Sequence, residues 1–500
     1  MPESHADVVI VGGGSAGAVL AARLSERPDR RVLLLEAGPV YSAASYPTAV
    51  AASSTLGGYT GHDWGYASEP GYLGHPIALY RGKVLGGSSA VNGAVFVRAL
   101  PADFDRWTER GLKGWTFPEV LAAYRKLERT TAGDDAWHGR SGPMPVHQLT
   151  RDELSDMQRA FVDSALACGI PATTDFNGAQ PHGVAPYPMN VVDGVRVNTG
   201  MAYLTDEVRE ANLSVRGDVL VDRVVFDADG SRAVGVLTAD GESITAGEVI
   251  LCAGTYGSAA ILLRSGVGPA DELRRLGIPA VADLPVGRTL YDHPFYYNAY
   301  AANPERIGPG EPVIGAKVWT ASSEAAAGEL DLHITATHLI DQSLSPTGAA
   351  FVLAVALTRP RSCGSLTLAD RDPRVAPRID LGFLADPADR RRLLEGVALS
   401  RRIGRSAPLA DLIDHEMAPG TDTMADIEAS VRATLDTYHH PTSTVPMGAD
   451  DDPAAVVDRL GAVRGLSGLR VVDASIFPDP VCAATNPTVI MAAEHIAAQL

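Results

Sequence analysis

Cysteine is scarce: Cys168, Cys252, Cys363 and Cys482 are the whole supply in 500 residues, and no two lie close in sequence. That spacing disfavours a disulfide framework and a zinc site alike, so no metal is expected. No apolar run reaches membrane-spanning length, and no internal repeat or low-complexity segment is present. The opening stretch MPESHADVVIVGGG starts a strand within a few residues of Met1, leaving no room for a basic region and an apolar signal core. The expectation is a soluble protein of a reducing, cytoplasmic compartment. Positive charge is short as well: 42 Lys and Arg against 60 Asp and Glu give a formal net charge of −18. That argues against nucleic acid or an anionic membrane as the main partner. The densest basic stretch, RRRLLEGVALSRRIGR (390–405), reads as one solvated face of an amphipathic helix.

What is present is globular in kind, with 46% hydrophobic and 20% charged residues. The length exceeds one ordinary core, so two or more structural units are expected. The front of the chain reads as a βαβ unit: a buried strand over 7–11, a helix over 16–25 and a second strand over 31–35. Between strand and helix, Gly12, Gly14 and Gly17 form G-x-G-x-x-G. The three glycines serve a tight turn, close approach of backbone to a pyrophosphate, and close helix–strand packing, with the helix N-terminus facing the phosphates. Glu36, at the end of the second strand, is placed to hold an adenosine ribose hydroxyl. An acid there favours FAD or NAD over NADP. Farther on, 213–254 holds three β-rich runs, a meander feeding a last strand over 248–252. Sheet is expected over 296–361, helix near Arg390, and a strand, a loop and a terminal helix at the end.

Six segments in order carry a resemblance. RGKVLGGSSAVNGAVFVR (81–98) resembles the first signature of the glucose–methanol–choline (GMC) oxidoreductases, and AGTYGSAAILLRSGVGP (253–269) the second. LPVGRTLYDHP (284–294), PRSCGSLTL (360–368), HPTSTVPMG (440–448) and LRVVDASIFPDPVCAATNPTVIMAAEHIA (469–497) continue the match. The resemblance implies an α/β fold in two parts. A Rossmann-like FAD-binding domain spans 1–295 and 440–500, with excursions near 50–80 and 150–195. A mostly antiparallel substrate-binding domain spans 296–439. It also implies which residues hold FAD: Gly12, Gly14, Ser15, Ala16, Gly17, Glu36 and Ala37 in the βαβ unit. Arg81, Gly86, Gly87, Ser88 and Ser89 would lie along the pyrophosphate and flavin, and Asn92 and Gly93 beside the isoalloxazine. Val219 would meet the adenine with its backbone, Asp473 and Ala474 would close over the ribityl side, and Pro487 and Thr488 belong to the last helix terminus. Val91 stands where some relatives carry a flavin-linked histidine, so FAD is expected to be non-covalent.

The implied activity is oxidation of an alcohol, with a hydride passing to flavin N5 and a base near it receiving the hydroxyl proton. His440 sits in the family's H-P-x-x-T setting and is the expected base, with Asn486 orienting the substrate oxygen. Asn486 reads as an N-cap and Pro487 as the first residue of a helix over 488–499. His439 is adjacent to His440, and alternation along an extended segment would turn it to the far side. Trp64, Tyr438 and His439 are candidate substrate contacts, as are Tyr296 and Tyr297; His138 and His293 read as structural. Ser443 replaces a glycine of the family's wording and Pro446 an arginine. The partners implied are a small alcohol and oxygen or a quinone-like electron acceptor. Two alternatives use related machinery: a cyanohydrin lyase on the same scaffold, and an NAD(P)H-linked flavin reductase, which would need a second dinucleotide motif that this chain does not show.

Overall fold

A computed structural model describes residues 5–209 and 212–500, organised by two large sheets. The first contains β1 (His5–Val11), β2 (Val32–Leu35), β4 (Leu213–Arg216), β5 (Val221–Phe226), β6 (Ala233–Thr238), β7 (Ser243–Leu251) and β14 (Leu469–Val471). Its order is β4-β2-β1-β7-β6-β5, with β14 also on β7. The strands β4, β2, β1, β7 and β14 run parallel, which is why β2 is buried at all four residues. The meander is β5, β6 and β7, antiparallel. The first of the three runs read from sequence is therefore split: Leu213–Arg216 leaves the meander and pairs with β2 instead.

Helix α1 (Gly17–Leu24) covers this sheet, with Ala18, Val19, Leu20 and Ala21 fully buried. It packs on the terminal helix α4 (Thr485–Ala497), and the contact is locked by Arg23, whose guanidinium lies 2.7 Å from the buried Glu494 carboxylate. Helix α2 (Gly254–Arg264) follows β7 directly. The α4 boundary corrects the sequence reading: Ala484 is the N-cap, so Asn486 and Pro487 are the second and third helical residues. Proline is tolerated there because the first four N–H groups of a helix have no intrahelical partner.

The second sheet contains β3 (Gly183–Pro186), β8 (Pro294–Ala302), β9 (Ile314–Thr320), β10 (Leu332–Thr337), β11 (Ala350–Leu357), β12 (Ile413–Ala418) and β13 (Asp436–Thr437). Its order is β12-β8-β11-β10-β9-β3, with β13 on β8, and every pairing is antiparallel. Residues directly opposite share a face. The register therefore sets Phe295, Ala356, His333 and Trp319 in one row and Tyr297, Ala354, Thr335 and Lys317 in the next. The alanines of β11 leave room for the rings of β8. Helix α3 (Pro387–Gly404) backs the sheet; Arg391, Arg402 and Arg405 keep the solvated face expected of 390–405, while Arg392 and Arg401 depart from it by turning inward. Arg392 is buried between Asp331 (3.1 Å) and Asp389 (2.6 Å), and Arg401 reaches Glu416 at 2.7 Å.

Candidate active site

One cavity of about 1160 Å³ runs between the two sheets, from Glu36 to His440. At its first end β1 turns into α1 through glycines that no other residue replaces. A Cβ on Gly12, at φ +99°, would lie 2.5 Å from the Cys252 carbonyl oxygen, and one on Gly17 would lie 1.9 Å from that of Gly12. Gly17 thus presses helix onto strand and does not itself border the cavity. Glu36 accepts hydrogen bonds from the amides of Gly13 (2.8 Å) and Gly38 (2.9 Å), and burial pushes its pKa up to about 7. The Val219 amide donates to the Glu36 carbonyl at 2.9 Å, so only the Val219 carbonyl remains to meet a ligand.

The segment 81–93 crosses the cavity floor. Gly86 does not border the cavity; its amide donates to the Gly13 carbonyl at 2.8 Å, and its φ of +94° sets Gly87 and Ser88 against the βα turn. Asp473 is spent on structure: Oδ2 accepts from the Gly254 amide (2.9 Å) and Ser258 Oγ (2.6 Å), and Oδ1 from the Ser475 amide (2.8 Å). It fixes the start of α2 while Ala474 borders the cavity.

At the other end, Tyr291 and Thr442 exchange backbone hydrogen bonds, bringing the segments 291–293 and 437–442 together. Asp292 lies between them: Oδ1 accepts from the amides of His293 (2.7 Å) and His440 (2.8 Å), and Oδ2 from Thr437 Oγ (2.7 Å). The rings of His293 and His440 then meet, Nδ1 to Nδ1, at 3.0 Å. Both are held neutral. Burial lowers His293 to about 3, and burial, reinforced by His293, Arg81 and His439, holds His440 well below 6.5. Tyr438 packs on His440 with 4.3 Å between ring centroids, and Phe295 stacks on Tyr438 at 4.3 Å and 7°. On the facing wall, Ser15 Oγ donates to Asn486 Oδ1 at 2.7 Å, and the Asn486 amide nitrogen is buried without a partner. That orphaned donor, on a cavity wall and next to the βα turn, fits a bound group that supplies an acceptor.

Most of the residues read from sequence border this cavity: Gly12, Gly14, Ser15, Ala16, Glu36, Ala37, Arg81, Gly87, Ser88, Asn92, Gly93, Val219, Asp473, Ala474, His440 and Asn486. Pro487 and Thr488 do not, and the Thr488 hydroxyl instead bonds that of Tyr124 at 2.8 Å. Tyr438 and Tyr297 line the cavity, whereas the Tyr296 hydroxyl turns away to Ser430. Trp64 lines it too, but its ring stacks on Tyr66 and under the Lys83 ammonium, apart from the His440 cluster. His439 corrects the alternation argument. Its φ is +62°, left-handed, so His439 and His440 both border the cavity. The segment LPVGRTLYDHP suggests a structural His293 and marks no role for Asp292; the structure sets both beside His440. His138 lies elsewhere, between Glu128 (3.0 Å) and Asp175 (2.8 Å).

Comparison with known proteins follows this geometry. The GMC oxidoreductase family models match residues 6–295 and 360–493. An oxygen-dependent choline dehydrogenase of Vibrio vulnificus is 34% identical, covering 99% of this chain and 94% of its own. The mitochondrial choline dehydrogenase of Mus musculus is 35% identical, covering 98% and 88%. Among solved structures, pyridoxine 4-oxidase from Mesorbium loti superposes with a TM-score of 0.89 at 32% identity, over 99% of both chains. A formate oxidase of Aspergillus oryzae gives 0.87 at 25% identity, over 99% of this chain and 97% of that one.

The neutral histidines set the acid limit of stability. His293, His333, His338, His439, His440 and His495 all titrate below 6.5 because of burial, so each contributes stability that is present above 6.5 and lost as pH falls. Glu36, Asp292, Asp436 and Asp473 are raised by burial and work in the opposite sense, losing stability as pH climbs toward about 6 for Asp292 and about 7 for Glu36. His138, raised to about 9 between Asp175 and Glu128, works in the same sense as those carboxylates; the six lowered histidines still outnumber these five groups, so the unfolded chain binds more protons through this window. The urea midpoint of FAD-stripped protein should fall between pH 6.5 and pH 5. A midpoint that holds or rises on acidification contradicts the neutral assignment.

Proposed function

This chain belongs to the GMC oxidoreductase family of FAD-dependent alcohol oxidoreductases, and from that premise we propose that it oxidises an alcohol to its carbonyl compound with His440 as the base. The observation that carries the reading is the His440 ring itself: it borders the cavity, is neutral through burial, and has Nδ1 occupied by His293. FAD, when bound, supplies the two-electron acceptor for the hydride that leaves the carbinol carbon. The glycine turn, Glu36, the floor segment 81–93 and Ala474 are the residues that would hold it.

The histidine pair supports a choice of working nitrogen. The carbonyls of Val481 and Thr358 face the His293 ring, without reaching full hydrogen-bond geometry at its buried Nε2. A proton on His293 Nε2 leaves its Nδ1 as an acceptor, so His440 carries its own proton on Nδ1 and presents the Nε2 lone pair to substrate. Asp292 holds the His440 backbone while this happens. The free Asn486 amide donates to the substrate oxygen as the hydroxyl proton passes to His440.

Anaerobic mixing with alcohols tests the reading, beginning with choline and pyridoxine, the alcohols named for relatives. A competent alcohol bleaches the flavin, and readmitted air or an added quinone restores the colour according to the acceptor. Flavin that stays yellow while a cyanohydrin is cleaved would mean a lyase. His440→Ala should slow bleaching ~10²-fold or more, and full-speed reduction by that variant removes the assignment. Because His440 stays neutral below 6.5, the bleaching rate should hold level as pH drops from 8 through 6.5. A fall centred at 6.5 would contradict it. Val91 offers no nucleophile to the flavin, so heat denaturation should release all the yellow colour into the supernatant; colour retained on the protein would mean a covalent link elsewhere.

A further inference from the structure

Behind the cavity floor stands a buried arginine with no counter-charge. Arg196 closes the hairpin of Val191–Val192 and Val195–Arg196 and is fully buried. Its Nη1 donates to the Asn92 carbonyl and its Nη2 to those of Val50 (2.6 Å) and Thr55 (2.9 Å), while Nε is buried without a partner. Among the described residues it makes no ion pair. Burial lowers its pKa to about 10 and no carboxylate acts against that, so at neutral pH the guanidinium is charged. Buried charges are ordinarily paired, because leaving water unpaired is costly. Other cations of the cavity differ. Arg264 pairs with Asp222 at 3.1 Å, Arg81 donates to the His439 carbonyl and offsets Asp292, and Lys83 lies over the Trp64 ring. Lys317 on β9 also lacks a partner, but burial holds it neutral; a guanidinium does not give up its proton in that way.

The floor that Arg196 grips runs from one sheet to the other. A Cβ on Gly87 would lie 2.7 Å from Cα of Gly14 in the βα turn, and one on Gly93 2.8 Å from Cδ1 of Ile314 on β9. Asn92 and Gly93 therefore stand at the second-sheet end, the end to which His440 belongs. The peptide between them is trans, and a trans peptide points its C=O and its N–H in opposite directions. With the Asn92 carbonyl turned to Arg196, the Gly93 N–H is turned away from it. Gly93 borders the cavity, and its N–H donates to no described residue. A ligand filling the cavity would cover this N–H and must offer it an acceptor. The guanidinium polarises the same peptide, which strengthens the donor.

We propose that Arg196 is a positioning residue for electron acceptance: it aims the Gly93 N–H at the bound flavin, and its unneutralised charge favours the reduced flavin. A hydride brings two electrons and one proton, and so leaves one negative charge on a neutral acceptor ring. A fixed positive charge in a water-poor interior stabilises that product and the transition state before it, with no reorganisation at the moment of reaction. The inference rests on the cavity being a flavin site, and not on His440 being the base.

Two readouts that need no alcohol test it on FAD-loaded protein and on Arg196→Met, Arg196→Gln and Arg196→Lys. The first is sulfite, which adds to oxidised flavin and leaves negative charge on the ring. Its apparent Kd should be tenfold or more weaker in Arg196→Met and Arg196→Gln, and within about threefold of the parent in Arg196→Lys, which keeps the charge. The second is the midpoint potential of the bound flavin against a reference dye. It should fall by about 30 mV or more in the two uncharged variants, the equivalent of tenfold in a two-electron equilibrium. A clamp that is only structural would lower the melting temperature and leave sulfite affinity and potential at the parent values; that result overturns the proposal. So does an Arg196→Lys as weak in sulfite binding as Arg196→Met. Should Arg196→Met not fold, Arg196→Gln against Arg196→Lys carries the same comparison. Loss of FAD from all three variants, with apoproteins that melt like the parent, would mean a role in retention and removes the proposal too. If the shifts appear while no alcohol bleaches the flavin, Arg196 stands and the alcohol reading falls.

Discussion

The His440 end of the cavity depends on one buried carboxylate. Asp292 takes the backbone amides of His293 and His440 on one oxygen and the Thr437 hydroxyl on the other. Hydrogen bonds to an ionised group contribute about 1.5–3 kcal/mol each, and these three act on two segments that are remote in sequence. Burial raises Asp292 to about 6, so holding it ionised is costly, and the Arg81 charge offsets part of that. The return is geometric. With both histidine backbones tied to one atom, their rings meet at Nδ1, and the other nitrogen of His440 is left for the cavity.

The same loop ties this end to the cofactor cleft. Beyond His440 the backbone zips onto the segment after Asp473: Ser443 donates to Ala474 (3.2 Å), Val445 to Ser475 (2.9 Å) and Met447 to Ile476 (2.8 Å). Asp473 caps α2 and fixes that segment in turn. A displacement at the dinucleotide end is thus felt at His440 through covalent chain and hydrogen bonds. A large planar ligand bridging the two ends would complete the coupling.

What could be read from sequence follows from what is local. Gly12 and Gly17 were legible because a Cβ collides with backbone only a few residues or one strand away, and the βαβ spacing announces that. That His440 and Asn486 border the cavity was legible because both stand in motifs of the resemblance. Asp292 and His293 stood in a quoted motif, yet their roles arise from Tyr291 pairing with Thr442, 151 positions later, which no local pattern reveals. The cavity wall given by the second sheet was likewise hidden: Phe295, Thr335 and Asp436 share a face only through the registers of four strands. The helix start was misplaced because Asn-Pro suits a cap and a first turn equally well, and Ala484 gives no capping signal.

The adjacent histidines show why alternation fails where chemistry is placed. Thr437 Oγ, already donating to Asp292, accepts from the His439 amide at 2.8 Å, and Arg81 holds the His439 carbonyl. Between these two holds His439 takes φ +62°, and Ser443 beyond takes +73°. Left-handed residues other than glycine cost of order 1–3 kcal/mol and persist only where the surroundings over-determine them. Here they bracket His440. Without them an extended 437–443 would send one ring in and one out, and Tyr438, His439 and His440 could not all border the cavity. A serine at 443 finds the second bend harder to adopt than a glycine would, but it is fully buried and its hydroxyl donates to Thr442 at 3.0 Å. Its carbonyl accepts from the Thr289 hydroxyl at 2.5 Å. A glycine would enter the bend freely and leave it as freely. The serine enters at a cost and is then held by both side chain and backbone, which stiffens the loop on which His440 is carried.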